Sequence, residues 1–523
     1  MPDAVLDPRR ARRAEVTPST ASRTAASLDA TSLNAVVMRV PKRAQTTDPD
    51  RLRRTFVAID PVGAVLRSPG HQVLFGRRGT GKTHALRYLA ETVRREGHVA
   101  TYLDLRAIGS SGGFSEGAVT DGAVAEAVSE AAVSEAAVSE AARARVQQRA
   151  THALVDVVGA LHGALWDAIL DLDLGDRVTS LIAAMDRVTE TTTRVSAVED
   201  GAEPTALLGS LAGALQDVMR CLRPRRLWVL VDEWSALPVE LQPFLADLLR
   251  RTLFAVPGIT IRIASVEHRS RFRLRDDDGV DSADTGIDVG GDTVASLDLD
   301  ELLMFGNKCE HAVAFFGELL YRHVHELVKD KGLRLDVANA GELLSAAFAT
   351  PGAFCELVLA GERVPRDVLN IAGLAAAAAG HGKISRADVS AAARDYFVRD
   401  KQGRISREAD AALANLVRRC ADQRTRVVYL RRPGESDDPL IRQLCDARLI
   451  HRTRRAVVEV ADTATAYDVY LLDYGCFVDV MAGGRLRALE PGLARELRHV
   501  RDRDAGVDAR SFATLPTAWY RRP

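Results

Sequence analysis

The sequence predicts an α/β fold: a parallel sheet flanked by helices, then a helical region, then a winged-helix end. Three observations predict it. In "HQVLFGRRGTGKTHALRYLA", residues 71–90, a short apolar run meets a glycine-rich turn and then a helix-forming stretch. In "RRLWVLVDEWSALP" a second apolar run ends on two adjacent carboxylates. Near the carboxyl end, two segments of helical periodicity precede two β-like runs.

The first segment has a definite chemistry. Gly76, Gly81, Lys82 and Thr83 satisfy G-x-x-x-x-G-K-[ST] between a strand (Val73, Leu74, Phe75) and a helix continuing through His84 to Val93, the setting that a phosphate-binding P-loop requires. Free NH groups and the dipole at the helix start attract an anion. Gly76, Gly79, Thr80, Gly81, Lys82, Thr83 and His84 make up the expected nucleotide cradle. Lys82 reaches the outer phosphates of ATP as a point charge, and the Thr83 hydroxyl ligates Mg2+ shared with the nucleotide.

The acidic run supplies the partner element. Five apolar residues, Leu227 to Val231, suit a strand covered on both faces. Asp232 then holds the magnesium, directly or through water. Glu233, on the opposite side if the extended conformation continues, orients and deprotonates the attacking water. Between the two motifs "HVATYLDLR" reads as another strand. Beyond them "LQPFLADLLRRTLF" is helical and "GITIRIASVEHRSRF" is a strand that exposes Ser265 and Glu267 at its tip, where a polar group can touch the water or the γ-phosphate.

Composition bounds the rest. A chain of 523 residues with 47% hydrophobic content builds several domains. A formal net charge of -1 leaves any nucleic-acid contact to local patches. Six scattered cysteines lack zinc spacing and fit a reducing compartment. No apolar stretch reaches the length of a membrane span, so a soluble, cytoplasmic protein without membrane contact is expected. Residues 1–50, rich in Arg, Ala, Ser and Thr, read as disordered, and Asp3, Asp7 and Glu15 argue against a transit peptide. Residues 51–304 form the core, with an insertion at about 107–205 that contains "VSEAAVSEAAVSEAA". Five residues advance a helix so that successive valines lie roughly 140° apart. An alanine-rich exposed helix and a slack spacer both fit this repeat.

From residue 405 to 482, Leu413, Leu416, Val417 and Cys420 share one helical face, and Leu440, Ile441 and Leu444 share another, before "RAVVEV" and "YDVYLLDYG". Helices followed by a hairpin describe a winged helix. Residues 483–523 form an Arg-rich tail whose interleaved acids suit a solvated helix.

The stretches "GRRGTGKT", "WVLVDEW", the strand ending at Ser265 and "GERVPRDVLNIAG" together resemble the AAA+ ATPases, in particular the initiator and origin-recognition-complex branch with its bacterial relatives. The resemblance spans roughly residues 55–480. It implies a helical lid at 305–404, Ser265 as sensor 1, and Arg366 as sensor 2 on the γ-phosphate. The catalytic set is then Glu233, Lys82, Ser265 and Arg366. Many relatives carry asparagine at sensor 1, so Glu267 is a rival. An arginine finger toward a neighbouring subunit has four candidates, Arg250, Arg251, Arg269 and Arg271, and implies a homo-oligomer or protein partner.

In such relatives the winged helix binds DNA, and Arg442, Arg448, Arg452, Arg454 and Arg455 are placed to contact phosphates, opposed by Asp437, Asp438 and Asp446. Three functional readings follow: a DNA-associated ATPase switch, a signalling or defence-type ATPase acting through protein partners, and a nucleotide-bound scaffold that does not hydrolyse.

Overall fold

The computed structural model describes residues 30–42, 47–58, 62–107, 135–172, 174–197, 205–274, 285–293, 295–300, 309–330, 336–423, 426–431, 438–458, 466–476, 478 and 513–515. Its centre is a five-stranded sheet of β1 (Gln72–Phe75), β2 (Val99–Asp104), β3 (Leu227–Asp232), β4 (Ile259–Ser265) and β5 (Ala295–Asp298). The order is β2-β3-β4-β1-β5, and every pairing is parallel. All carboxyl ends therefore lie along one edge, where α/β sheets place their ligands.

The helices before and around this sheet are α1 (Ala30–Val37), α2 (Pro49–Thr55), α3 (Val62–Leu66), α4 (Lys82–Arg95), α5 (Glu135–Asp171), α6 (Arg177–Ser196), α7 (Thr205–Leu222) and α8 (Gln242–Leu249). Strand β3 shows why its apolar run is unbroken. Leu227, Val229 and Val231 face the helices α5 to α8, while Trp228 and Leu230 pack with Leu86, Leu89 and Val93 of α4. Each fully buried leucine of that kind contributes roughly 1.5–3 kcal/mol.

The described helices of the segment at about 107–205 pack against the core. Leu154, Val157 and Leu161 of α5 and Leu181, Met185 and Val188 of α6 are buried in the same cluster as the sheet, because one sheet face needs a covering layer. The last part of the pentapeptide repeat, from Glu135, begins the 37-residue α5, and its earlier part lies outside the described residues. Contrary to expectation, not all of 1–50 is without structure. Leu33, Val36, Val37 and Val40 form an i, i+3, i+4, i+7 stripe and are buried. Residues 1–29 lie outside the described part.

That stripe packs into a second, helical body of α9 (Cys309–Asp330), α10 (Ala340–Ala347), α11 (Pro351–Ala360), α12 (Pro365–Ala379) and α13 (Arg386–Tyr396). Starts are well marked: Asn339 and Thr350 cap α10 and α11, and Ser385 with Asp388 forms a capping box on α13.

A third body comprises α14 (Arg407–Gln423), β6 (Val427–Arg431), α15 (Pro439–Asp446), β7 (Ile450–Val458), β8 (Ala466–Leu472) and β9 (Ala513–Leu515). Its sheet runs β7-β8-β6-β9, with β8 antiparallel to both neighbours and β9 parallel to β6. Leu413, Leu416 and Cys420 meet Leu444, Leu449 and Leu472 in its core. The Arg-rich stretch 485–504 lies outside the described residues.

The second and third bodies are joined by buried charge. Lys401 is 1% exposed and its ammonium lies 2.5 Å from Asp473 and 3.1 Å from Asp367. Removing the cation leaves two buried carboxylates facing each other, so Lys401→Met is expected to lower stability by about 3–5 kcal/mol. Urea unfolding of mutant and parent checks this, and an unchanged midpoint contradicts it.

Candidate functional site

The loop after β1 turns through residues that only glycine fills at low cost. Gly79 has φ of 96°, and a Cβ there would lie 3.0 Å from both Arg366 Cβ and Val364 Cγ1. Gly81 has φ of 101° and stands directly before α4, so a side chain would strain the backbone at the helix entrance. The Thr80 hydroxyl donates to the Arg77 carbonyl at 2.9 Å and braces the turn.

Lys82 opens α4 and folds back over the loop. Its ammonium donates to the carbonyls of Gly76 at 2.6 Å and Arg77 at 3.0 Å. Burial holds its pKa below the ordinary lysine value, against the raising influence of Asp300, Asp232 and Glu233. The next side chain makes the contact that joins the two motifs. The Thr83 hydroxyl donates to Asp232 Oδ2 at 2.6 Å, across 149 residues of chain.

Asp232 is 1% exposed and held from three sides. Besides Thr83, the Tyr102 hydroxyl donates to Oδ2 at 2.7 Å and the Glu233 amide donates to Oδ1 at 2.9 Å. Burial, with Asp232 beside it, pushes the Tyr102 phenol well above its ordinary pKa. A hydroxyl beside a carboxylate is a hard oxygen pair of the type that suits Mg2+.

Glu233 does not continue the extended strand. It adopts φ 57° and ψ 38°, a left-handed conformation that ends β3 abruptly. Its side chain is 28% exposed, and Arg106 Nη1 lies 3.7 Å from Oε1. A left-handed non-glycine residue costs of order 1–3 kcal/mol. The residue lines the cavity beside the loop.

The cavity has a volume of about 500 Å³ and is lined by Gly79, Gly81, Lys82, Thr83, His84, Arg106, Glu233, His323 and Arg366 among others, a size typical of small-ligand sites. Arg366 enters from the helical body. Pro365 starts α12, and the Arg366 amide donates to the Gly79 carbonyl at 3.2 Å. His84 Nε2 pairs with the Leu52 carbonyl at 2.7 Å, and its ring packs edge-on against Phe56.

Ser265 is placed differently. It is fully buried at the end of β4, in register with Phe75, and its hydroxyl meets that of Ser270. It is not among the residues that line the cavity; Val266 is. Glu267 accepts from Arg452 at 3.1 Å, turned toward β7.

The arginine-finger candidates also have partners. Arg250 and Arg251 pair with Asp247, and Arg269 pairs with Asp446, while at Arg271 it is the backbone amide that donates to Gln242. Arg448 is 7% exposed and lies 3.2 Å from Asp367, so it does not face a nucleic-acid surface. The Arg454 and Arg455 side chains are outside the described part.

Sequence reasoning gave no role to Tyr102, Arg106, Asp300 and His323. Three of them follow from strand order: Asp104 pairs in register with Asp232, so Tyr102 and Arg106 flank the acidic edge, and Asp300 follows β5, which pairs with β1.

Residues 40–161 match the family model described as ORC-CDC6-like. The expected resemblance to AAA+ ATPases of the origin-recognition branch is borne out on that segment, and the α/β core with its parallel sheet agrees. No curated protein matches the chain. Among solved structures, the chain is similar to one titled "Structure of the Aeropyrum pernix ORC1 protein in complex with DNA", at 13% identity over 88% of this chain and 98% of that one. The TM-score is 0.29. Among the described residues, no helix is long and apolar enough to cross a membrane.

His323 of α9 sits at the cavity wall, and burial, with His84 and Arg51 nearby, pushes its pKa from 6.5 down to about 3. The unfolded chain binds this proton below about 6.5 and the folded chain does not, so stability is complete above 6.5 and declines as pH falls toward 3. The thermal midpoint of the parent is expected to fall more steeply between pH 6.5 and 4 than that of His323→Leu. Parallel pH curves would contradict a neutral, buried His323.

Proposed function

We propose that the chain binds ATP with Mg2+ in this cavity and hydrolyses it slowly as a conformational switch. The observation that carries the reading is the Thr83 to Asp232 hydrogen bond beside Glu233, which gathers a P-loop and two carboxylates at one strand edge. Thr83 and Asp232 would hold the ion, whose chemistry is to neutralise and bridge the phosphate oxygens. Lys82 and the amides of Gly79, Thr80 and Gly81 bind the phosphates. Glu233 takes the proton of the attacking water, and Arg366, poised over Gly79, reads the γ-phosphate. Ser265, away from the cavity, orders the end of β4.

The switch acts on duplex DNA in this reading. Support comes from the ORC-CDC6-like match and from the third body, where two helices and a hairpin suit a winged helix. Arg448 and Arg452 are engaged inside the protein, with Asp367 and Glu267. The protein-partner reading is favoured by the same engagement, because it thins the basic surface. A cytoplasmic compartment is in keeping with the free thiols of Cys221, Cys355, Cys420, Cys445 and Cys476 and with the nucleotide requirement.

Glu233→Gln keeps the shape and removes the base. ATP affinity by calorimetry is expected to stay at the parent level, while turnover falls by about two to four orders of magnitude. Unchanged turnover would remove Glu233 from the mechanism. Retention of DNA by this ATP-trapped form at moderate salt supports the first reading, and retention of a protein partner without DNA supports the second.

Arg366→Ala is expected to weaken ATP turnover more than ADP binding, since its target is the γ-phosphate. Equal effects on both would return Arg366 to a structural role.

A further inference from the structure

Arg77 lies inside the phosphate loop, yet its side chain leaves the loop altogether. The backbone amide and Nε both donate to Asp300, at 2.5 and 2.8 Å. Nη2 donates to the carbonyl of Glu362 in the helical body, at 3.2 Å. Nη1 meets His451 Nδ1 of β7 at 2.6 Å. Its own carbonyl, meanwhile, is the one that accepts from Lys82 and Thr80.

We propose that Arg77 is a positioning residue through which the third body, by way of His451, sets the phosphate loop. An arginine can only donate, so His451 Nδ1 accepts and Nε2 carries the hydrogen. Nε2 then donates to Asp473 at 3.1 Å. Burial, opposed by Asp473 and aided by Arg77, holds the His451 pKa down at about 4, which keeps the imidazole neutral as this arrangement needs.

The chain of contacts continues and closes on itself. Asp473 binds Lys401, Lys401 binds Asp367 on α12, and the neighbouring residue on that helix, Arg366, hydrogen-bonds Gly79 through its amide. The loop is thus gripped at Arg77 and at Gly79 by one buried network rooted in the third body. Glu362 strengthens the grip: its carboxylate accepts from Arg426 and from the Tyr474 amide, and it sits with Arg363 in a left-handed turn, φ 48° and 55°. Groups that pack a network this tightly have few intermediate arrangements. Docking of the third body and nucleotide affinity are therefore coupled, and each changes the other by the same factor.

The inference rests on the nucleotide reading of the cavity. His451→Phe removes the acceptor without touching a cavity residue, and His451→Gln restores an acceptor oxygen. ATP affinity by calorimetry is expected to fall by about fivefold to a hundredfold in the first and to recover most of that loss in the second. In the parent, ATP is expected to slow hydrogen exchange of the β7 and β8 amides, a readout that holds even if a mutant folds poorly. Equal ATP affinity in parent and His451→Phe, or ATP-independent exchange in β7 and β8, overturns the coupling while leaving the nucleotide site intact. A parent with no ATP affinity overturns the nucleotide reading instead.

Discussion

The hydrogen bond from Thr83 to Asp232 can form only if three strands hold their register. Strands β1 and β3 are not neighbours; β4 runs between them, with Ser265 opposite Phe75 and Ile263 opposite Val231. A slip of one residue in β3 would exchange the side chains facing α4 with those facing α5 to α8. Both faces are apolar, so packing shape rather than polarity resists the slip. What makes it costly is the end of the strand: Asp232 would leave Thr83 and Tyr102 together, keeping only the amide of its own neighbour Glu233. An unpaired buried carboxylate is far more expensive than a misfit leucine. The site polices the register of the sheet that builds it.

Charge does a different job at the junction of the bodies. Lys401, Arg448 and Arg426 meet Asp367, Asp473 and Glu362, nearly all out of water, and Arg77 adds a hydrogen bond to the Glu362 carbonyl. Desolvation offsets most of the Coulombic gain in such clusters, so they add little net stability. They do demand one geometry. An apolar interface between the same bodies would tolerate sliding, whereas a displaced ion pair leaves bare charges. The network consequently favours one docked position over a range of slid ones.

Loop, strand and first helix were legible in the sequence because each rests on local chemistry: the motif of Gly76 to Thr83, the unbroken apolar run of β3, and the helix that follows Lys82. The helical stripe at Leu33 to Val40 was equally local, but it lies within a segment whose Arg and Ser content masked four apolar positions. Glu233 stands at the acidic strand end, but the extended conformation stops at Asp232, and nothing in the letters of "VDEW" signals a positive φ at a glutamate. Arg448 illustrates the deeper limit. Its candidacy for DNA contact came from its neighbours in sequence, whereas its partner Asp367 is 81 residues away and buried by a different body. Long-range ion pairs leave no spacing pattern to read.

A switch also needs a reason for nucleotide to favour one arrangement over another, because a ligand shifts an equilibrium only through its differential affinity for the two states. Lys82 supplies a candidate source. Its ammonium donates to the carbonyls of Gly76 and Arg77, and a phosphate oxygen, being charged, is a stronger acceptor than either. Drawing the ammonium toward phosphate loosens its hold on Arg77, the residue that also anchors His451. The loop must then keep its shape through Asp300, Thr80 and the third body rather than through Lys82. On the proposed reading, docking would become more valuable to the loop with nucleotide present than without it, and that difference would be the free energy by which nucleotide holds the third body in place.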